Sequence, residues 1–367
     1  MTTLNRLYDE HGQSPWVDFV DRPFVESGRL EELIGKGIRG LTSNPTIFAK
    51  AVAGGEYDDL IRRRLEAGSS TNDIYQEIAT HDVGAATDLL RAVYDESGGA
   101  DGFASIEVEP ALAHDTEATL ARARELWQAV DRPNVMIKIP ATEQGLSAIT
   151  AAIAEGLNVN VTLVFSIEMY RRVAHAYIEG LRQRLARGED VSRSGSVASF
   201  FVSRVDTNVD KRLDEMNTDE ARALRGKAAI ANARLAYEAF GEIFHGDDFA
   251  ELGNAGAHAQ RCLWASTSTK DPAYRDVMYV EELIGPDTVD TLPLETIEAF
   301  DDHGTLAATL KPGIDEAHRT FERLAALGID MTEVTDELLR EGVDKFAASF
   351  DELLETIESK RQVLATR

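Results

Sequence analysis

The sequence predicts an α/β protein, a (β/α)8 or TIM barrel with additional helices, among them a long C-terminal helical segment. Three observations lead there. Short apolar runs alternate with longer stretches of helical periodicity along the chain, which argues for strand–helix units and a parallel sheet. Eight such runs fit in 367 residues, which favours a closed barrel over an open doubly wound sheet. An open dinucleotide-binding sheet would carry a glycine cluster after its first strand, and this chain reads Asp21-Arg22-Pro23 there. No composition shift marks a linker, so residues 1–367 are expected to form one domain with a leading helix and a C-terminal helix.

The elements follow in order. Leu4, Leu7 and Tyr8 suggest the leading helix, and Trp16–Val20 is the first strand. A helix over Arg29–Lys36 precedes the second run, Ile38–Thr42. Pro45 should close that run, with Thr46 capping the next helix. Residues 56–96 read as two or three amphipathic helices. The third strand is Phe103–Val108, and Thr116–Val130 is helical. The fourth strand carries Val135-Met136-Ile137-Lys138-Ile139 and stops at Pro140; an alanine-rich helix over Gln144–Glu155 follows. Val159–Phe165 is the fifth strand, with Ser166 positioned to cap a helix reaching Arg187. Ser196–Val202 is the sixth, and residues 206–240 are helical. Cys262–Ala265 is read as the seventh strand and Asp276–Val280 as the eighth. A loop with Pro286 and Pro293 should then lead to helices near 294–302 and 312–326. Thr332–Lys360 is one long helix, or two broken near Gly342. Gly98–Gly102 precedes a strand, the wrong side for a phosphate loop.

Composition narrows the function. Hydrophobic residues make up 43% and charged residues 28%, as in a globular protein with ample core. A formal net charge of -26 repels nucleic acid and anionic membranes, so neither is an expected partner. It does not forbid an anionic substrate held by a few cations in a pocket. The single cysteine, Cys262, excludes an internal disulfide, fits a reducing cytoplasm, and lies in an apolar run that suggests packing. The first residues lack the pattern of a signal peptide, and no apolar run is long enough to span a bilayer. Asn160-Val161-Thr162 matches a glycosylation acceptor but sits in an apolar strand of a chain without an export signal. A homodimer is compatible with the sequence and not required by it. The histidines are scattered, with no metal-ligand spacing, and no glycine-framed nucleophile serine occurs.

One residue stands out. Lys138 is a lone lysine inside an apolar strand. It could snorkel to solvent or pair with a carboxylate. It could equally be the nucleophile of a Schiff base, because burial disfavours a charged amine and the neutral amine attacks carbonyls. Strand alternation supports the second reading. Asp18, Glu107, Lys138, Asn160, Thr162 and Ser199 fall on the inward faces of five strands, mostly near the C-terminal ends where barrel enzymes hold their chemistry. Each alone could be a satisfied core group; a barrel built only for stability would fill those positions with branched apolar residues.

These stretches resemble the transaldolase family. Leu41-Thr42-Ser43-Asn44-Pro45-Thr46-Ile47 resembles its Thr-x-Asn-Pro signature, and Val135–Thr142 its Schiff-base signature. Ser105–Val108, Asn160–Ser166 and Ser199–Arg204 resemble its third, fifth and sixth strands; the likeness covers about residues 15–350. The resemblance implies a transferase of the pentose phosphate pathway. It would move a dihydroxyacetone unit from sedoheptulose 7-phosphate to glyceraldehyde 3-phosphate, with sugar phosphates as substrates and neither metal nor organic cofactor. It makes Lys138 the imine-forming residue and Asp18 the group that moves the C4 hydroxyl proton. Glu107 and Thr162 would hold a water, Asn44, Asn160 and Ser199 the three-carbon unit, and Arg204 the phosphate. Two places depart from the common pattern. Asp21, soon after Asp18, is a rival acid, although strand phase favours Asp18. After the seventh strand many members carry Ser-Phe-Arg, and here Ser266-Thr267-Ser268-Thr269-Lys270 leaves Ser266, Ser268 and Lys270 as candidate phosphate ligands. Within the wider group, an aldolase releasing free dihydroxyacetone is the rival reading; such members carry tyrosine where this chain has Phe201. A silent barrel used as a scaffold would be expected to have lost Lys138.

Overall fold

The computed structural model describes residues 2–365. At its centre eight parallel strands pair in chain order and close into a barrel. They are β1 (Gln13–Val17), β2 (Leu41–Thr42), β3 (Ala104–Glu107), β4 (Val135–Pro140), β5 (Val159–Val164), β6 (Ser196–Phe201), β7 (Arg261–Ala265) and β8 (Thr288–Leu292), with β8 pairing back on β1. Helices cover the outside, and the branched apolar residues of β4 and β5, Ile137, Ile139 and Val161, are completely buried beneath them. Register sets the interior. Glu107 pairs with Lys138, and Lys138 with Asn160, so three polar side chains stand in one row across β3, β4 and β5.

The helices Thr3–His11, Arg29–Lys36 and Thr116–Val130 form where their periodicity indicates, and Ser166 caps Ile167–Ala186 through Met169 N. The eighth strand lies elsewhere. Asp276–Val280 does not pair; Met278–Glu282 is a short helix, and the strand is Thr288–Leu292, between the two prolines read as loop markers. An apolar run that short has no periodicity to separate helix from strand. In β8, Thr288, Asp290 and Thr291 dilute the apolar signal. The first strand is shifted too: β1 ends at Val17, so Asp18 stands just beyond it, still paired through Asp18 N to Leu292 O at 2.8 Å. Thr46 is not the cap. Asn44 is extended and accepts from Ile47 N, with Pro45 in the first helical turn. The C-terminal helix Met331–Ala365 runs unbroken through Gly342.

The N-terminal end of the barrel is plugged by Asp101. Its buried carboxylate accepts from Ser14 Oγ, from Trp16 Nε1 at 2.9 Å and from Arg39 Nε at 2.9 Å, with Arg261 Nη2 at 3.4 Å. Burial would raise its pKa, but the charges of Arg261 and Arg39 hold it below the ordinary value. This is the work of the glycine cluster before β3. Gly102 has φ +80°, and a Cβ there would lie 2.3 Å from Tyr94 N, so only glycine lets the loop deliver Asp101.

Asp290 breaks the apolar rule of the outer face. Thr291 points inward, 2.7 Å from the Thr42 hydroxyl, so alternation turns Asp290 toward the helices. It is completely buried and neither carboxylate oxygen has a partner; the nearby Thr267 hydroxyl lies 3.4 Å from Thr291 O instead. Burial pushes Asp290 from 3.8 up to about 8. Between those values the folded protein binds the proton and the unfolded chain does not, so folding stability falls as pH rises through that window. Asp290→Asn removes this linkage. Urea unfolding from pH 5 to pH 8 should show the variant gaining on the wild type by about 1.4 kcal/mol per pH unit; parallel curves would mean that the carboxyl ionises without penalty.

Candidate active site

The strand register and the inward alternation bring the polar residues to the C-terminal mouth of the barrel. A cavity of about 370 Å³ opens there, lined by Asp18, Asn44, Lys138, Thr162, Ser199 and Phe201 from the strands and the residues just after them. Arg204, Ser266, Ser268 and Lys270 line it from the segments after β6 and β7. A larger groove of about 690 Å³ lies beside the C-terminal helix, but no inward-facing strand residue reaches it. Glu107 and Asn160 are not in the cavity wall; they flank Lys138 in the row behind it.

Lys138 is 6% exposed. Its Nζ donates to Ser43 O at 2.8 Å and lies 3.6 Å from Glu107 Oε1, an ion pair rather than a tight hydrogen bond. Glu107 Oε2 is buried and has no partner. Burial raises the Glu107 pKa, and the Lys138 charge opposes that rise. Asp18 behaves likewise: burial raises it, while Lys138 and hydrogen bonds from Thr42 and Asn44 pull it back. Thr42 Oγ1 donates to Asp18 Oδ1 at 2.8 Å and Asn44 Nδ2 approaches it at 3.5 Å. Asn44 therefore has two tasks, capping its helix through Oδ1 and steadying Asp18 through Nδ2. Asn160 donates to Ser105 Oγ at 3.1 Å and accepts from Ser199 Oγ at 2.7 Å, so its amide is fixed in one orientation.

Arg204 stands in the first turn of the helix Ser203–Met216, directly after β6. Its guanidinium packs 5.1 Å from the centroid of the Phe201 ring, and Nη1 is buried without a partner. Burial lowers its pKa, with Glu341 as the opposing charge. Across the mouth Ser266 adopts φ 58°, a left-handed conformation rare for serine, and its hydroxyl lies 2.8 Å from Ser203 Oγ. Lys270 is exposed and donates to Ser268 Oγ at 2.6 Å. The mouth thus holds a buried amine beside two carboxylates, and a guanidinium with an open donor.

Residues 15–357 match the transaldolase/fructose-6-phosphate aldolase family. The chain belongs to that family. It is 51% identical over 357 residues to transaldolase 1 of Streptomyces coelicolor, covering 96% of this chain and 93% of the relative. It is equally identical to the transaldolase of Thermobifida fusca, covering 96% and 97%, and 47% identical to transaldolase 2 of Nostoc punctiforme, covering 97% of each.

Within this family member the mouth also contains groups that pattern reading missed. Thr291 comes from the displaced eighth strand, and Lys345, Phe346 and Ser349 from the C-terminal helix. The proline bracket around Thr288–Leu292 was a usable signal for the first. Helical spacing at 345–349 announces a helix but not the cavity that it covers. The rival acid is accounted for: Asp21 caps the helix Arg22–Glu26 by accepting from Phe24 N at 2.8 Å and does not line the cavity. Asp21→Ala should therefore cost about 1 kcal/mol of stability and leave turnover unchanged, whereas Asp18→Asn should fold normally and lose turnover. Urea unfolding and steady-state kinetics on both variants separate the two; the reverse pattern would return the acid role to Asp21.

Proposed function

We infer that this chain is a transaldolase. It moves a dihydroxyacetone unit from sedoheptulose 7-phosphate to glyceraldehyde 3-phosphate, giving erythrose 4-phosphate and fructose 6-phosphate. The observation that carries the reading is a buried lysine at the C-terminal mouth of a barrel with carboxylates on both sides, in a member of a family of this name.

In this reading Lys138 Nζ attacks the ketose carbonyl, and loss of water leaves an iminium. Asp18 takes the proton from the C4 hydroxyl, the C3–C4 bond breaks, and the electron pair flows into the iminium to give an enamine. The first aldehyde departs. The enamine attacks the acceptor aldehyde, and Asp18 returns its proton to the new alkoxide. A carboxyl group held above its ordinary pKa suits a residue that must accept and then donate. The unpartnered Glu107 Oε2 supports a role for Glu107, with Thr162, in holding the water consumed and released at the imine. Ser199 and Asn160, locked to one another, offer a fixed polar wall for the three-carbon unit. Phe201 has no hydroxyl with which to activate water, which argues against free dihydroxyacetone as the main product.

Two outcomes test the reading. Borohydride with fructose 6-phosphate should add one reduced three-carbon unit, and peptide mapping should find it on Lys138; a label on another lysine would overturn the assignment.

The phosphate is the second test. In a chain of net charge -26, attraction for a sugar phosphate must be local. Arg204 offers its buried open donor, and Lys270 a more exposed point charge. Charge-assisted hydrogen bonds contribute roughly 1.5–3 kcal/mol each, so Arg204→Ala should weaken phosphorylated substrates about ten- to a hundredfold, and Lys270→Ala less. Fructose should be nearly indifferent to both changes. Equal losses of kcat/KM on fructose and fructose 6-phosphate would mean that the phosphate is held elsewhere.

A further inference from the structure

The C-terminal helix Met331–Ala365 does more than finish the fold. Leu338, Gly342, Phe350, Leu353 and Ile357 form its buried stripe at helical spacing. Gly342 sits where the helix touches the barrel: a Cβ there would lie 3.0 Å from Leu163 Cδ2. Leu163 itself has φ 58°, at the point where β5 loses register with β6. The bulge in β5 and the glycine in the helix therefore seat the helix against the barrel rim.

Phe346 lies one turn beyond Gly342 on the same face and lines the cavity. Its ring centroid is 6.0 Å from Lys138 Nζ and 6.4 Å from the Phe201 ring. The Arg204 guanidinium packs against both rings, at 5.1 Å from Phe201 and 5.8 Å from Phe346. Two aromatic walls thus screen the amine, one supplied by β6 and one by a helix remote in the chain.

The chemistry gives that screen a task. After the first aldehyde leaves, the enamine on Lys138 has two fates. It can attack an acceptor aldehyde. Alternatively it can be protonated on carbon to an iminium; water then adds to the imine carbon, the C–N bond breaks with its electron pair returning to the lysine nitrogen, and free dihydroxyacetone leaves. The first fate is transfer and the second is hydrolysis. We propose that Phe346 is a specificity-determining residue that favours transfer by excluding water from the imine. The proposal rests on the transaldolase reading and adds to it a residue from outside the barrel strands.

The test uses the full chain with fructose 6-phosphate, with and without erythrose 4-phosphate. Free dihydroxyacetone and sedoheptulose 7-phosphate are both measured. Phe346→Ala should raise the ratio of release to transfer about fivefold or more, with Lys138 still trapped by borohydride. Phe346→Leu, which keeps an apolar wall, should stay within about twofold of the wild type. If the alanine variant does not fold, Phe346→Val reads the same expectation. An unchanged ratio in a variant that still traps on Lys138 would reduce Phe346 to a packing residue and overturn the proposal. Failure to trap Lys138 in the wild type would instead defeat the transaldolase reading itself.

Discussion

An amine buried in a barrel mouth constrains everything around it. Taking such a group out of water costs several kcal/mol unless neighbours compensate. Here compensation comes from three elements at once: the Ser43 carbonyl after β2, the Glu107 carboxylate on β3, and the field of Asp18 after β1. None of these is a tight carboxylate pair. Glu107 stands at 3.6 Å with one oxygen unpartnered, and both carboxyls are held above their ordinary pKa values by burial. A tighter salt bridge would steady the lysine and make it a worse nucleophile. The looser arrangement keeps both carboxyls available for proton transfer.

The two ends of the barrel solve different problems. At the N-terminal end Asp101 is saturated by Arg39, Arg261, Trp16 and Ser14, a closed network suited to holding strands in register. At the C-terminal end the polar groups are left partly open: Glu107 Oε2 and Arg204 Nη1 are buried without partners, and Ser266 is in a left-handed conformation. Unsatisfied donors, unsatisfied acceptors and backbone strain at one end of a fold otherwise well paired are what a site prepared for a ligand requires.

Charge follows the same division. The surface of the chain is acidic, yet the cavity collects Arg204, Lys270 and Lys345 around its rim. The proposed phosphate contact is therefore a local exception within a repulsive field. That confines anion binding to the mouth and leaves the rest of the molecule with no attraction for nucleic acid.

The sequence by itself determined the alternation of strands and helices, and with it the barrel. It also determined the lysine strand and the inward alternation that groups Lys138 with Glu107, Thr162 and Ser199. Those features are local: period, proline stops and capping residues act within a few positions of one another. Asp18 was legible as an acid at the first strand, though the strand ends sooner than its apolar pattern suggests, because pairing with β8 and not composition sets the boundary. The eighth strand was misplaced, since five residues carry too little periodicity and its outward Asp290 contradicts the apolar rule. Only the tertiary structure decided what lies across the mouth. The helical spacing of residues 331–365 is plain in the sequence, but the place of Phe346 depends on a bulge at Leu163 and a glycine at 342 meeting across the fold. No local pattern encodes a contact between two such distant positions.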